Sequence, residues 1–395
     1  MLHFTTAGES HGPALVAVLE GMVAGLPLAA DDVNGELARR QHGYGRGRRM
    51  QIESDAVEFL SGVRAGETIG SPIAMLIRNR DWKNWSEIMD PARGGTDPDK
   101  RKRAVTRPRP GHADLSGMLK YDRADARDVL ERASARETTA RVAAAAVCRR
   151  FLAEFSVRVG SHVVHLGGID AAVPAQLPDD VNSAVADSPL RTLDKESEQR
   201  MIARIDEAKR DGDTLGGICE VVCTGVPVGL GSYVSWDRKL DGRLAAAIMS
   251  IPAVKGVELG LGFDAARLPG SRVHDEIDAQ ADATRAGGVH RRSNRAGGLE
   301  GGMTTGEPLV IRVAMKPIST LMRPLATIDT ESREAASAVA ERSDVTAVPA
   351  MGVIAEAMVG FVMAQAFLEK FGGDSLPETR RNYESYIARI NERGK

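Results

Sequence analysis

Residues 136–154 read RETTARVAAAAVCRRFLAE, and residues 157–166, close behind, read VRVGSHVVHL. The first stretch is alanine-rich with apolar side chains at 142, 146, 147 and 151, the spacing of one helix face. The second is a β-branched run of strand length. Working outward, strand-like runs recur at 217–226 and 308–315, and on the N-terminal side at 13–24 (PALVAVLEGMVA), 57–63 and 71–78. Helical patterns cover 195–210, 238–250, 352–371 and, in polar form, 378–393. A further helix, 30–41, enters through Asp31-Asp32 and is stopped by Gly43, acids at the positive end and glycine past the last turn. Strands often follow one another without an intervening helix. That order predicts an α+β fold with antiparallel sheets rather than a doubly wound parallel one.

The chain has 395 residues, 43% of them hydrophobic, enough for two or three average domains or one large one. No repeat of fixed period and no Pro/Ser linker divides it. Lys+Arg (52) and Asp+Glu (54) nearly cancel, which argues against binding nucleic acid through overall charge. The N-terminal residues MLHFTTAGESHG lack a signal-peptide pattern, and no apolar run nears the roughly 18 residues of a membrane span, so a cytoplasmic protein is expected. Cys148, Cys219 and Cys223 agree with a reducing compartment. The last two fall on one face of one strand with Cα atoms roughly 13 Å apart, beyond disulfide reach.

Arginine is the anomaly. Of the 52 basic residues 41 are arginine, a ratio that a guanine-rich genome explains as well as function does. Placement says more: Arg39, Arg40, Arg46, Arg48 and Arg49 fall within eleven residues that contain no acid. From Arg93 to His112 seven bases face two acids, a local charge of +5. This run lies in 79–113, a polar stretch without periodicity; 264–307, rich in Gly, Arg and Asp, is a second. Loops of such length are usually functional.

Four segments place Arg beside Ser, His or Asp on constrained backbone. Gly8-Glu9-Ser10-His11-Gly12 matches G-x-S-x-G, but only seven residues precede it and an extended run follows, so a hydrolase nucleophile elbow is not expected. Arg39-to-Arg49 interleaves arginine with glycine, a chemistry suited to carboxylates and phosphates; it is neither a P-loop nor a dinucleotide fingerprint. In Arg107-Pro-Arg109-Pro-Gly-His112 two prolines and a glycine fix the backbone around Arg109 and His112. Arg132-Ala-Ser134-Ala-Arg136-Glu137 opens the best helix, an anion site by its free N–H groups, although Ser134 and Glu137 also read as a capping box. Arg342-Ser-Asp344 is explained equally by a salt bridge. No metal-ligand spacing occurs. The residues alone point to a small, highly anionic ligand with histidines available as acids, and they do not name the reaction.

The blocks GESHG (8–12), RRQHGYGRGRRMQIESD (39–55), RPGHADLSGMLKY (109–121), RASARETTARVAA (132–144), GGLEGGMTTGEP (297–308), KPIST (316–320) and ERSDVTAVPA (341–350) together resemble the chorismate synthase family, in the family's order from residue 8 to about 373. The resemblance implies a lyase of aromatic amino acid biosynthesis. It would convert 5-enolpyruvylshikimate-3-phosphate to chorismate by anti-1,4-elimination of phosphate, at a branch point of the shikimate pathway, requiring reduced FMN without net redox change. It implies one large β-α-β sandwich domain over 1–395, a homotetramer, active-site loops at about 80–112 and 264–307 that stay mobile until ligands bind, and a polar tail at about 374–395. The length is similar to the family form without a built-in flavin reductase, so NADPH would act through a separate one.

By the same resemblance His11 is the acid that protonates departing phosphate, His112 protonates the reduced flavin or steadies its charge, and Asp344 acts with the flavin in removing the C6 proton. Ser10, Arg40, Arg49, Arg109, Ser134, Arg136 and Arg342 would hold substrate. The flavin would meet Arg40, Arg46, Arg132, Ala133, Ser134, Pro252, Ala253, Gly301, Lys316, Pro317, Ile318, Ser319, Thr320 and Arg342. The chain departs from the family pattern at Pro252, where Asn is usual, and at Arg295 and Thr305. An RNA-binding module and a structural anion-binding protein are the competing classes; the first predicts steep salt dependence, the second FMN binding without turnover.

Overall fold

The computed structural model describes residues 1–47, 54–92, 104–174, 176–279, 288–339 and 344–393. Its first sheet holds β1 (His3–Ala7), β2 (Ala14–Glu20), β3 (Val57–Phe59) and β4 (Ile73–Arg78) in the order β1-β2-β4-β3, every pair antiparallel. The second holds β5 (Arg158–Leu166), β6 (Ile169–Asp170), β7 (Gly217–Thr224), β8 (Val254–Leu259) and β9 (Leu309–Met315) in the order β8-β9-β7-β5-β6, again antiparallel. The α+β reading therefore holds.

Alternation aims each sheet. In β2 Leu15, Ala17 and Leu19 are buried, in β4 Ile73, Met75 and Ile77, and in β9 Leu309, Ile311, Val313 and Met315. Against these faces pack α1 (Ala30–Gln41), α4 (Thr138–Ala153) and α7 (Val348–Phe371); the other main helices are α2 (Asp114–Tyr121), α3 (Arg127–Ala133), α5 (Lys195–Asp211), α6 (Leu240–Met249) and α8 (Leu376–Arg393). Helix α4 lies on β2, α7 lies on β5 and β7, and α4 and α7 pack on one another. One continuous core runs from Leu15 and Met75 through Phe151 and Phe367 to Ile311 and Val313.

Several boundaries shift for local reasons. Helix α7 begins four residues before the expected 352 because Pro349 sits in its first turn, where its missing N–H costs nothing. Only 57–59 of the expected 57–63 strand joins the sheet; Val63–Arg64 turns back to pair with Glu67–Thr68. Segment 264–307 is not featureless: Ile277–Ala279 pairs with Val289–Arg291 and Leu299–Glu300 with Met303–Thr304. The expected polar tail is α8, whose Tyr383 packs on Phe155, Phe367 and Phe371. All three cysteines are free and buried.

Contrary to the sequence expectation, α7 is long and apolar enough to cross a membrane, with mean hydropathy 1.8, but 83% of its apolar window is buried inside the molecule. It also carries Glu356 at 0% exposure. Arg39 (2.7 Å), Arg149 (2.8 Å) and Arg191 (3.0 Å) converge on that carboxylate, and the Ser161 hydroxyl donates to it at 2.6 Å. Burial alone would push Glu356 up; the three guanidiniums outweigh it and hold the group at about 2. Arg39, read as part of a ligand-binding run, is thus committed to the core.

Candidate active site

The GESHG turn joins β1 to β2, strand to strand, so no nucleophile elbow forms. Gly8 has φ +107° and an added Cβ would lie 2.4 Å from the Ala14 carbonyl oxygen, so the turn closes only with glycine. Asn79 pins the turn by donating to the carbonyls of Gly12 (2.8 Å) and Glu9 (3.2 Å).

From this turn His11 reaches α3. Its Nδ1 lies 2.9 Å from both Glu131 carboxylate oxygens, and its backbone N–H donates to the same group at 2.9 Å. Arg127, one turn earlier, donates to Glu131 at 2.9 Å. The imidazole stacks on Trp85 with centroids 3.8 Å apart, and the Arg127 guanidinium lies 5.0 Å from the same indole. Burial works to raise the Glu131 carboxyl, but hydrogen bonding and charge from His11, joined by Arg127, outweigh it and hold it below the ordinary range.

His112 precedes α2, whose first residue, Asp114, is fully buried. Asp114 accepts from the Arg109 backbone N–H (3.0 Å) and from Arg109 Nε (2.8 Å), while its Oδ1 meets His112 Nδ1 at 2.5 Å. Arg109 Nη1 also donates to the Thr320 hydroxyl at 3.0 Å, tying this turn to the segment after β9. The prolines and glycine around Arg109 thus hold a preformed His–Asp–Arg cluster.

Asp344 accepts from the Gly47 N–H at 2.6 Å and pairs with Arg46 Nη1 at 3.2 Å. Arg46 Nε is buried with no partner among the described residues. Arg40 donates to the Thr138 hydroxyl (3.0 Å) and the Ala135 carbonyl (2.9 Å). Burial, opposed by Asp55 and reinforced by Arg46 and Arg136, pushes its guanidinium down to about 9, still charged at neutral pH. The Arg136 guanidinium bonds Asp55 (2.7 Å) and Asn79 (2.8 Å). Ser134 donates to Ser10 at 3.2 Å and accepts from the Arg136 N–H at 3.2 Å. Ser134 thus serves as the expected N-cap, while Glu137 turns to Arg141 at 2.9 Å instead of completing a capping box.

These segments line one cavity of about 590 Å³, within the size range of small-molecule sites. Among the described residues its wall carries Arg40, Arg46, Arg109, Arg136, Lys255 and Lys316 against one lining carboxylate, Asp344. No described residue forms an ion pair with Lys255 or Lys316, and Lys316 is pushed below the ordinary lysine range by burial and by Lys255 beside it. The opposite character comes from α6 and the turn after it, β9 and α7: Met249, Ile251, Met315, Met351 and Ile354 form an apolar wall. Ala253, at φ +69°, accepts from the Lys316 N–H at 2.9 Å at the junction of the two.

Ser10, His11, His112, Ala133, Ser134, Pro252, Ala253, Ile318, Ser319 and Thr320 all reach this cavity, with Asp344 and the arginines named above. Arg132, Pro317 and Gly301 do not line it. Arg132 is spent on the Thr6 and Gly8 carbonyls (2.9 and 3.1 Å), and Gly301 lies in the 299–304 hairpin. Arg49 and Arg342 lie outside the described residues. Sequence reasoning missed Glu131, Asp114, Trp85, Asn79 and Lys255. Only Glu131 and Asp114 left a trace, each standing within quoted blocks or one residue from them.

Comparison with known proteins accords with this geometry. A profile described as chorismate synthase matches residues 2–368. The chain is 57% identical over 393 residues to the chorismate synthase of Geobacter metallireducens, covering 98% of each chain. It is 56% identical over 385 residues to that of Syntrophotalea carbinolica, covering 98% of this chain and 97% of the relative. A solved structure titled as a crystal structure of chorismate synthase superposes with TM-score 0.79 at 44% identity, covering 99% of this chain and 98% of that one. A cationic cavity built from the same ordered blocks, matched along nearly its whole length by these relatives, places the chain in the chorismate synthase family.

Proposed function

We propose that the chain converts 5-enolpyruvylshikimate-3-phosphate to chorismate with loss of phosphate. The observation that carries this reading is the cavity itself: among the described residues, six cations and two histidines, drawn from distant segments, surround one carboxylate and an apolar wall. A substrate with a phosphate and two carboxylates needs that excess of positive charge, since burying such an anion unpaired costs many kcal/mol.

His11, with Nδ1 on Glu131, keeps Nε2 for the substrate, and we assign it the proton that the phosphate takes as its C–O bond breaks. Asp344, held by Arg46 and the Gly47 N–H, is the lining carboxylate available to take the proton lost from C6. His112, Arg109 and the lysines neutralise and orient.

The residues fit a flavin phosphate and ring: Arg46 Nε, which meets no acceptor among the described residues, Lys255 and Lys316, which meet no anion among them, and the apolar wall beside Ala253 suit one anionic and one planar group. Lys316, Ile318, Ser319, Thr320, Ala253 and Ser134 would hold FMN. When bound, reduced FMN supplies the electron density that lets phosphate leave without net oxidation. NADPH would serve through a separate flavin reductase.

We read the layer arrangement as one β-α-β sandwich domain, a reading its continuous core supports. Exposed Tyr233, Val234, Trp236 and Phe263 support assembly as a homotetramer, and the buried free thiols support a cytoplasmic location. Tightening of the described parts of 80–112 and 264–307 on ligand binding belongs to the same proposal. Amide protection already complete in ligand-free protein would exclude it.

The test is anaerobic turnover of 5-enolpyruvylshikimate-3-phosphate with chemically reduced FMN, following chorismate absorbance and released phosphate. Product with reduced but not oxidised FMN is expected. Folded protein that binds FMN and yields nothing leaves the anion-binding class standing.

A further inference from the structure

We infer that Glu131 is the positioning residue through which His11 works, because its buried carboxylate takes Nδ1–H and so commits Nε2 to the cavity. The inference rests on the proposed reaction only for where the Nε2 proton goes.

Four contacts fix the pair. The carboxylate meets His11 twice, at the ring nitrogen and at the backbone N–H, each at 2.9 Å, so ring and chain are registered on one group. Arg127 holds the same carboxylate at 2.9 Å from within α3. Trp85 closes the ring's face at 3.8 Å, which removes the freedom to flip. Glu131 itself is 2% exposed and does not line the cavity, so it does not touch a ligand there. Among the described residues its side chain bonds His11 and Arg127 alone.

The chemistry follows from proton accounting. As the C–O bond breaks, its electron pair leaves with the phosphate oxygen, which takes the proton from Nε2. The imidazolium becomes neutral imidazole, and the remaining proton must stay on Nδ1. Free histidine in water favours the other tautomer; a carboxylate on Nδ1 reverses that preference. Without it, half the neutral rings or more would carry the proton on the wrong nitrogen for reprotonation from solvent at Nε2.

The experiment uses full-length protein with ¹⁵N-labelled histidine, the His11 signals assigned by His11→Ala. In wild type the neutral ring should be the Nδ1–H tautomer. Glu131→Gln should lower kcat roughly tenfold or more with KM for the substrate little changed. The double variant with His11→Ala should lose no more than His11→Ala alone, and Glu131→Asp should recover part of the rate. An Nε2–H tautomer in wild type, or losses that multiply in the double variant, overturns the inference. Should Glu131→Gln fail to fold by circular dichroism, the wild-type tautomer decides alone. Absence of wild-type turnover would instead count against the proposed reaction, leaving the tautomer result to stand for Glu131.

Discussion

Nδ1 of His112 lies 2.5 Å from Oδ1 of Asp114, two residues further along the chain, and the Arg109 guanidinium bonds the same carboxylate. His11, Glu131 and Arg127 repeat this arrangement on another element. In each case a buried carboxylate shared with an arginine fixes the imidazole's inner nitrogen and leaves the outer one for a ligand. The carboxylate stays ionised because a histidine and an arginine both reach it.

Replacing Asp114 by Asn tests this at His112. Burial would raise the Asp114 carboxyl, but the bonds from His112 and Arg109 outweigh it and hold it far below the ordinary range. A depressed folded pKa contributes stability that is present above the unfolded value of about 3.9 and is lost as pH falls below it. Asp114→Asn should therefore be less stable by about 1.5–3 kcal/mol at pH 7. Urea unfolding at pH 7 and pH 3 should show the difference shrinking in acid; a gap independent of pH would refute the assignment.

Glu356 makes a larger claim on stability. Removing it leaves Arg39, Arg149 and Arg191 in the interior without their shared anion. Glu356→Ala should cost about 3–5 kcal/mol, and Glu356→Gln less. Because the carboxyl is held at about 2, its contribution is full near neutrality and drains away as pH falls from its unfolded value towards that figure. KM of the surviving folded fraction should change little, since Glu356 does not line the cavity. A large KM change at unchanged stability would contradict this account.

Much of this was legible beforehand, and the residues show why the rest was not. Helix 30–41 and strands 217–226 and 308–315 follow from periodicity, a local property. Glu131 is 120 residues from His11, and nothing local marks it as the histidine's partner rather than a surface acid of an ordinary helix. Arginine misled in the opposite direction. The fork that suits a phosphate suits a protein carboxylate or carbonyl equally, so Arg39 and Arg132 went to the fold while Arg46 keeps a donor for the cavity. Lys255 stood in no quoted block, yet the β8–β9 pairing sets it near Lys316.

Those two lysines predict an alkaline limb to anion binding. Burial and the neighbouring Lys255 lower the Lys316 pKa, so it loses its proton below the ordinary value of about 10.4. FMN affinity should fall as pH rises through that lowered value. Bound phosphate should stabilise the charged lysine, so binding in this range takes up protons. Lys316→Ala should weaken FMN binding roughly tenfold, or ~1.4 kcal/mol, and flatten the limb. Fluorescence titrations at a series of pH values decide it, and an alkaline limb that persists in the variant would point elsewhere.

The cavity wall also stores strain that a single atom group relieves. Ala253 is held at φ +69°, a conformation that costs a side-chain-bearing residue of order 1–2 kcal/mol. Its carbonyl accepts from Lys316 N–H at 2.9 Å, and the bond fixes the wall at the start of β8. Glycine adopts the same backbone without the Cβ clash, although the unfolded chain then gains freedom. The balance should leave Ala253→Gly more stable by about 0.5–1 kcal/mol, read from the denaturant midpoint at constant slope. FMN affinity should hold or weaken slightly, because the wall keeps its shape and loses only a methyl. A destabilised variant would mean that the methyl's packing against the apolar wall outweighs the strain.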